Sequence, residues 1–188
     1  MQVIKNIEPR RSANLSALIE VFNQTLGKPY RTLLAGGAEE PLYEPGDASG
    51  RWACIYFTRD YFSSALHEIA HWCVAGEERR KKRDYGYWYQ PDGRSEEQQN
   101  EFEKVEVAPQ ALEWIFSMAC GVKFRISVDN LNGKVAASET FKTAVCQRVH
   151  EHCLVGLDER AQKFARHLAK TFSQGQYLNK ECYKLVDI

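Results

Sequence analysis

Residues 66–73 read Leu-His-Glu-Ile-Ala-His-Trp-Cys, and this octet limits what the chain can become more than any other stretch. Positions i and i+4 of a helix share a face one turn apart, so His67 and His71 can direct imidazole nitrogens at one metal ion. Glu68 then stands beside that ion, where a carboxylate takes or gives a proton. The surroundings favour a helix independently: Phe62, Leu66, Ile69 and Cys73 form an apolar stripe at helical spacing, and Trp72 widens it. Asp60 is the expected N-cap and Gly76 the expected residue just past the C-terminus. The alternative is two core histidines on an ordinary amphipathic helix; motif and context together favour a metal site.

The 188 residues are expected to form one domain spanning 1–188, long enough to bury a core without staples. Charged residues make up 27% and the formal net charge is zero, which argues against a nucleic-acid binder that works by neutralising phosphates. Met1 to Asn14 lacks the apolar core of a signal peptide, and no run approaches ~18 consecutive apolar residues, so neither secretion nor a membrane span is expected. The expected location is cytoplasmic. Cys54, Cys73, Cys120, Cys146, Cys153 and Cys182 form no Cys-x-x-Cys pair and read as free thiols in core positions.

Ahead of the motif, Leu15, Leu18, Ile19, Phe22 and Leu26 mark a helix capped by Ser12 or Asn14 and ended by Gly27 and Pro29. Tyr30 to Leu34 is a short strand closed by Gly36-Gly37, followed by a loop rich in Pro, Gly and Glu. Trp52 to Phe57 alternates and is aromatic or β-branched, a strand leading directly into the motif helix. Beyond it, Arg79 to Arg83 is a basic run, read either as a solvated helix end or as a docking patch for an acidic protein. Four aromatics fall within Tyr85 to Tyr89; half would face a core, and the others could wall a pocket or hold a cationic side chain. Pro91-Asp92-Gly93 and Asp129 to Gly133 are turns. Gln98 to Ala119 is helical, kinked or split at Pro109. Phe124 to Val128 reads as a strand, and Glu139 to Leu154 and Asp158 to Phe172 as helices. The tail from Gly175 is unassigned. The fold class is α+β with helices dominating.

Two histidines leave a catalytic metal site one protein ligand short. Glu77 stands where the extended zinc-protease motif has its third histidine, but the turn there needs Gly at 74 and the chain has Val74. In the later helix Glu103 and Glu106 compete. With a continuous helix, Glu106 lies on the edge of the apolar arc, in line with Gln110 and Glu113, and Glu103 lies further toward solvent, so Glu106 is preferred. Two histidines and a glutamate suit Zn(II) and equally suit Fe(II) with positions open for oxygen and substrate; spacing does not separate them.

Several blocks together resemble the bacterial elongation factor P hydroxylases. They are Glu40-Pro41-Leu42-Tyr43, HEIAHWCVAGEERR from His67 to Arg80, YGYWY from Tyr85 to Tyr89, and PDGR from Pro91 to Arg94. FEKVEVAPQALEW from Phe102 to Trp114, Asp129-Asn130-Leu131 and Arg148-Val149-His150 complete the set, over about Glu40 to His150. The resemblance implies a zincin-like fold, with helices on a small sheet and the motif on a central helix, turned from peptide hydrolysis to oxygen chemistry. It implies hydroxylation of the β-lysyl-modified lysine of translation elongation factor P, the last step of that modification. The ligands it implies are His67, His71 and Glu106, with Glu68 catalytic, Fe(II) favoured over Zn(II), and dioxygen as co-substrate. Tyr87, Trp88, Gln110 and His150 are candidate substrate-binding residues, the aromatics suiting a long cationic side chain. The expected partner is elongation factor P, with no direct nucleic-acid or membrane partner.

Two other readings follow from the motif alone: a zinc metallopeptidase, and a binding module with a purely structural metal. A structural site usually closes with four protein ligands, and no fourth is evident near His67 and His71. The chain shows no flavin or nicotinamide fingerprint and no convincing 2-oxoglutarate anchor.

Overall fold

Asn14 opens the first helix by accepting the Ala17 N–H at 2.9 Å, which settles the choice of cap between Ser12 and Asn14. The computed structural model describes residues 14–86, 94–128, 137–172 and 174–188. In chain order it runs through α1 (Leu15–Phe22), α2 (Lys28–Tyr30), β1 (Thr32–Ala38), β2 (Leu42–Glu44) and β3 (Ala53–Thr58). There follow α3 (Phe62–Val74), α4 (Glu96–Cys120), α5 (Glu139–Val155) and α6 (Glu159–Phe172). The α+β class is as expected.

The first helix does not stop at Gly27. A π turn at Asn23–Gly27 carries it into α2, where Pro29 sits in a first turn that requires no N–H from it. The turn ends at Arg31, whose φ of 50° is left-handed. The sheet has the order β1-β3-β2, with β1 parallel and β2 antiparallel to β3. At three residues, β2 is too short to show alternation, so it falls within the stretch read as a loop. The strand expected to close at Gly36-Gly37 instead passes through them, with its register slipping between Ala35 and Ala38. Gly36 is needed there, because a Cβ would come within 2.6 Å of Asp60 Oδ1 and 2.8 Å of the Phe57 ring.

The strand β3 delivers the chain to α3 as expected, and α3 packs between β3 and α4. Its ends differ from the sequence reading. Tyr61, not Asp60, is the N-cap and gives no side-chain bond; Ser64 Oγ accepts the Thr58 N–H at 3.0 Å. At the C-terminus Ala75 is extended and no left-handed glycine follows. Two arginines take the open carbonyls instead. Arg160 of α6 donates to the Cys73 and Ala75 carbonyls at 2.8 and 2.7 Å, and Arg80 donates to Ala75 at 2.5 Å. Both guanidinium groups also lie over the Trp72 ring, 4.9 and 5.4 Å from its centroid. Positive charge at a helix C-terminus is stabilising, so the motif helix is held where its last turn would otherwise fray.

The helix α4 opens with a capping box of Ser95 and Gln98 and runs 25 residues without a break. Pro109 cannot bond the Val105 carbonyl, but Val105 is 42% exposed and water can serve that carbonyl. This continuity is what aligns Glu106, Gln110 and Glu113. The core seals α3 to the rest through edge-on rings: Phe22 meets Trp72 at 6.3 Å and Phe164 at 6.2 Å, and Phe116 meets Phe164 at 5.1 Å. Phe124 stacks on Trp114 at 5.4 Å, but residues 124–128 join no ladder, so the strand expected there does not form. The tail that the sequence leaves unassigned is packed, with Tyr183 buried edge-on against Trp114 at 5.1 Å. All six cysteines are free thiols, as expected. Among the described residues, no helix is long and apolar enough to cross a membrane.

Candidate metal centre

The side chains of α3 that face α4 are His67 and His71, and α4 answers with a line of polar groups. Glu106, Gln110 and Glu113 are 3%, 1% and 6% exposed, on a helix that also buries Ala111, Leu112, Trp114, Ile115 and Phe116. Buried carboxylates persist only where something compensates their charge.

Three donors converge. His71 Nε2 lies 3.2 Å from Glu106 Oε1, and His67 Nε2 lies 3.6 Å from Glu106 Oε2 and 3.0 Å from His71 Nε2. Among the described residues, His67, His71 and Glu106 are the set whose ligand atoms all lie within 4.8 Å of one another. Donors bound at about 2.1 Å to a tetrahedral ion stand roughly 3.4 Å apart, and somewhat closer around an octahedral one. The two imidazole nitrogens and the two oxygens of the Glu106 carboxylate are therefore close enough together to share one ion. The charges agree as well. Glu68, Glu106 and Glu113 act on His67 together, an excess of negative charge that a divalent cation would balance. The residues fit a divalent metal.

His67 is held from behind. Its Nδ1–H donates to Glu113 Oε2 at 2.8 Å, which fixes the tautomer and leaves Nε2 to face Glu106 and His71. Burial alone would lower the His67 pKa, but the bond and charge of Glu113, with Glu106 and Glu68, lift it to about 10 in the metal-free protein. Burial likewise favours the neutral form of Glu106, yet the charge and hydrogen bond of His71, then His67 and Gln110, hold its pKa down to about 2. Both groups are therefore charged at neutral pH until a metal displaces the proton.

Gln110 bonds both Glu106 and the Ser127 backbone. Its Nε2 donates to Glu106 Oε2 at 3.2 Å and to the Ser127 carbonyl at 2.7 Å, and its Oε1 accepts the Ser127 N–H at 3.0 Å. The segment expected to be a strand is thereby pinned to α4 by one amide.

Glu103, expected toward solvent, is 7% exposed and outside the cluster. It accepts from Ser138 Oγ at 2.5 Å, and Ser138 caps α5, so this carboxylate serves a helix N-terminus. Glu68 is 8% exposed, next to His67. His150 sits on α5 against the tail, its Nε2 donating to the Tyr183 carbonyl at 2.9 Å. Tyr87 and Trp88, with the turns at Pro91 and Asp129, lie outside the described residues. Within the basic run, Arg80 is committed to Ala75 and Trp72, while Lys81 pairs with Glu78 at 2.6 Å.

Sequence reasoning missed the role of Glu113 although the signal was present, since it stands seven residues after Glu106 on the same line. Arg160 had no such signal, because its partners are 85 and 87 residues away in sequence.

Comparison with known proteins agrees with the blocks and extends beyond them. The family model described as elongation factor P hydroxylase matches residues 21–183, past both limits of the resemblance read from the motifs. The elongation factor P lysine hydroxylase of Haemophilus influenzae is 48% identical over 165 residues, covering 88% of this chain and 93% of that protein. The chain belongs to the elongation factor P hydroxylase family.

Proposed function

We propose that this protein hydroxylates the β-lysyl-modified lysine of elongation factor P at a metal centre held by His67, His71 and Glu106. The family assignment supports the substrate, and the convergence of those three donors on one point supports the centre. The metal is Fe(II), and dioxygen is the co-substrate. Held by His67, His71 and Glu106, the metal would supply Lewis-acidic, redox-active chemistry toward dioxygen. Overall, one oxygen atom enters a C–H bond of the substrate and the other leaves as water, with two electrons and two protons from an external reductant.

The chain's own residues do the remainder. Glu113 holds the His67 ring in the tautomer that presents Nε2, and Gln110 keeps the Glu106 carboxylate turned toward the histidines. Glu68, beside His67, carries protons to and from the reacting side. The surrounding carboxylates suit a long cationic side chain, and Tyr87 and Trp88 have the aromatic chemistry that would hold such a side chain by cation–π contact. We read the chain as one zincin-like domain, with α3 carrying the motif between the sheet and α4. Its substrate, a translation factor, places it in the cytoplasm.

Turnover under isotopically heavy dioxygen tests this reading. Heavy label in the modified lysine is the expected result. Label arising only from heavy water, or cleavage of the factor with zinc bound and no oxygen gained, would overturn it in favour of hydrolysis.

A further inference from the structure

A recess opens at the C-terminal end of α3, and none of the three donor residues lines it. It has a volume of about 520 Å³, and Tyr30, Tyr43 and Trp72 form its apolar walls. Trp72 follows His71 directly in the chain, and a helix with its side chains is about 10–12 Å across. A partner seated in this recess therefore stays within reach of the metal centre.

The recess is rich in charged side chains, and some of them pair with one another while others do not. Arg31, Arg51, Arg80 and Lys81 line it, against Asp47 and Glu77. Arg51 is neutralised by Asp47 and Glu44, at 3.0 and 3.3 Å, and Lys81 by Glu78 and Glu77. The other two cations are different. Arg31 donates to the Gly50 carbonyl at 2.7 Å, and Arg80 donates to the Ala75 carbonyl. Among the described residues neither has a carboxylate within 4.0 Å, so their geometry is fixed while their charge stays uncompensated. Arg31 is moreover held with its backbone in the left-handed region, at φ 50°. Beside it Tyr30 and Leu33 are 38% and 48% exposed. Arginine and tyrosine clustered around a recess match the composition that carries binding energy in protein interfaces.

We propose that this recess docks an acidic face of the folded protein substrate, with a carboxylate seated between Arg31 and Arg80 and an apolar side chain against the exposed ring of Tyr30. The partner's identity rests on the function proposed above. The surface acts as an exosite: it recruits the folded factor and takes no part in the oxygen chemistry. Arg80 also caps α3, so Arg31 is the residue to test.

The experiment compares Arg31→Ala and Arg31→Glu with the wild type on two substrates, the full modified factor and a short peptide carrying the same modified lysine. Removing the charge is expected to raise KM for the full factor severalfold, and reversing it about tenfold or more, with kcat and peptide KM unchanged. Wild-type KM for the factor should rise with salt, more steeply than that of Arg31→Ala. Unchanged KM for the factor, or an equal rise for factor and peptide, overturns the exosite. Titration calorimetry of wild type and Arg31→Glu with the factor separates this from failure of the proposed reaction, since it needs no turnover. Unchanged factor binding with loss of inorganic phosphate binding would assign the recess to a small anion instead.

Discussion

Glu113 Oε2 accepts the Nδ1 proton of His67 at 2.8 Å, and this bond, from a helix 46 residues downstream, decides which nitrogen of His67 faces the other donors. The ligand helix and the supporting helix are thereby coupled through one buried contact. Loss of such a supporting carboxylate typically weakens metal binding about 10–100-fold. Glu113→Ala should fall in that range, measured by competition with a chelator, whereas Glu113→Gln, still able to accept the proton, should lose less. Equal affinity in Glu113→Ala and wild type would contradict the role.

The same contact gives the metal-free protein a defined pH response. The His67 pKa is raised from 6.5 to about 10, so the stability it contributes is complete below about 6.5 and is lost as pH rises through 10. Glu106 is lowered from 4.5 to about 2, so its contribution is present above 4.5 and is lost as pH falls toward 2. Melting curves of the metal-free protein should therefore decline on both flanks, and Glu113→Gln should flatten the alkaline one. Metal uptake should release protons, detectable in weakly buffered solution.

Gln110 ties Glu106 to the Ser127 backbone, and truncating it strands buried polar partners. Leaving such groups unsatisfied costs about 1–3 kcal/mol. Gln110→Ala should lower stability by about that amount in denaturant titrations and loosen metal binding as well. A variant as stable as the wild type would show that water replaces the amide at no cost.

Arg160 closes the C-terminus of the motif helix from α6. Arg160→Ala removes two hydrogen bonds and a cation–π contact to Trp72. The expected cost is about 2 kcal/mol, read as a lowered denaturant midpoint. KM for a short peptide carrying the modified lysine should be unchanged, because Arg160 touches the end of α3 and not the donor face.

What the sequence reveals follows from how far each signal reaches. The motif helix, the strand before it, and the helices at 139–155 and 159–172 are periodic over several turns or pairs, and they form where periodicity places them. Glu106 was preferred over Glu103 by one turn of helix geometry, and the structure brings Glu106 to the histidines. Glu103, which helix geometry turns toward solvent, is instead buried and accepts from Ser138, because α5 packs over that side of α4. Ends were less legible. Helix α3 is closed in part by Arg160, from a helix more than 80 residues on, rather than by Gly76, and residues 124–128 are held by a glutamine side chain rather than by a strand partner. Such long-range contacts leave no local pattern.

The most direct test of the central claim is the intact mass of β-lysyl-modified elongation factor P after incubation with the Fe(II)-loaded protein, dioxygen and a reductant. The wild type should add one oxygen atom, and His67→Ala and Glu106→Ala, each lacking bound metal, should add none. A full oxygen gain with either variant would contradict the claim.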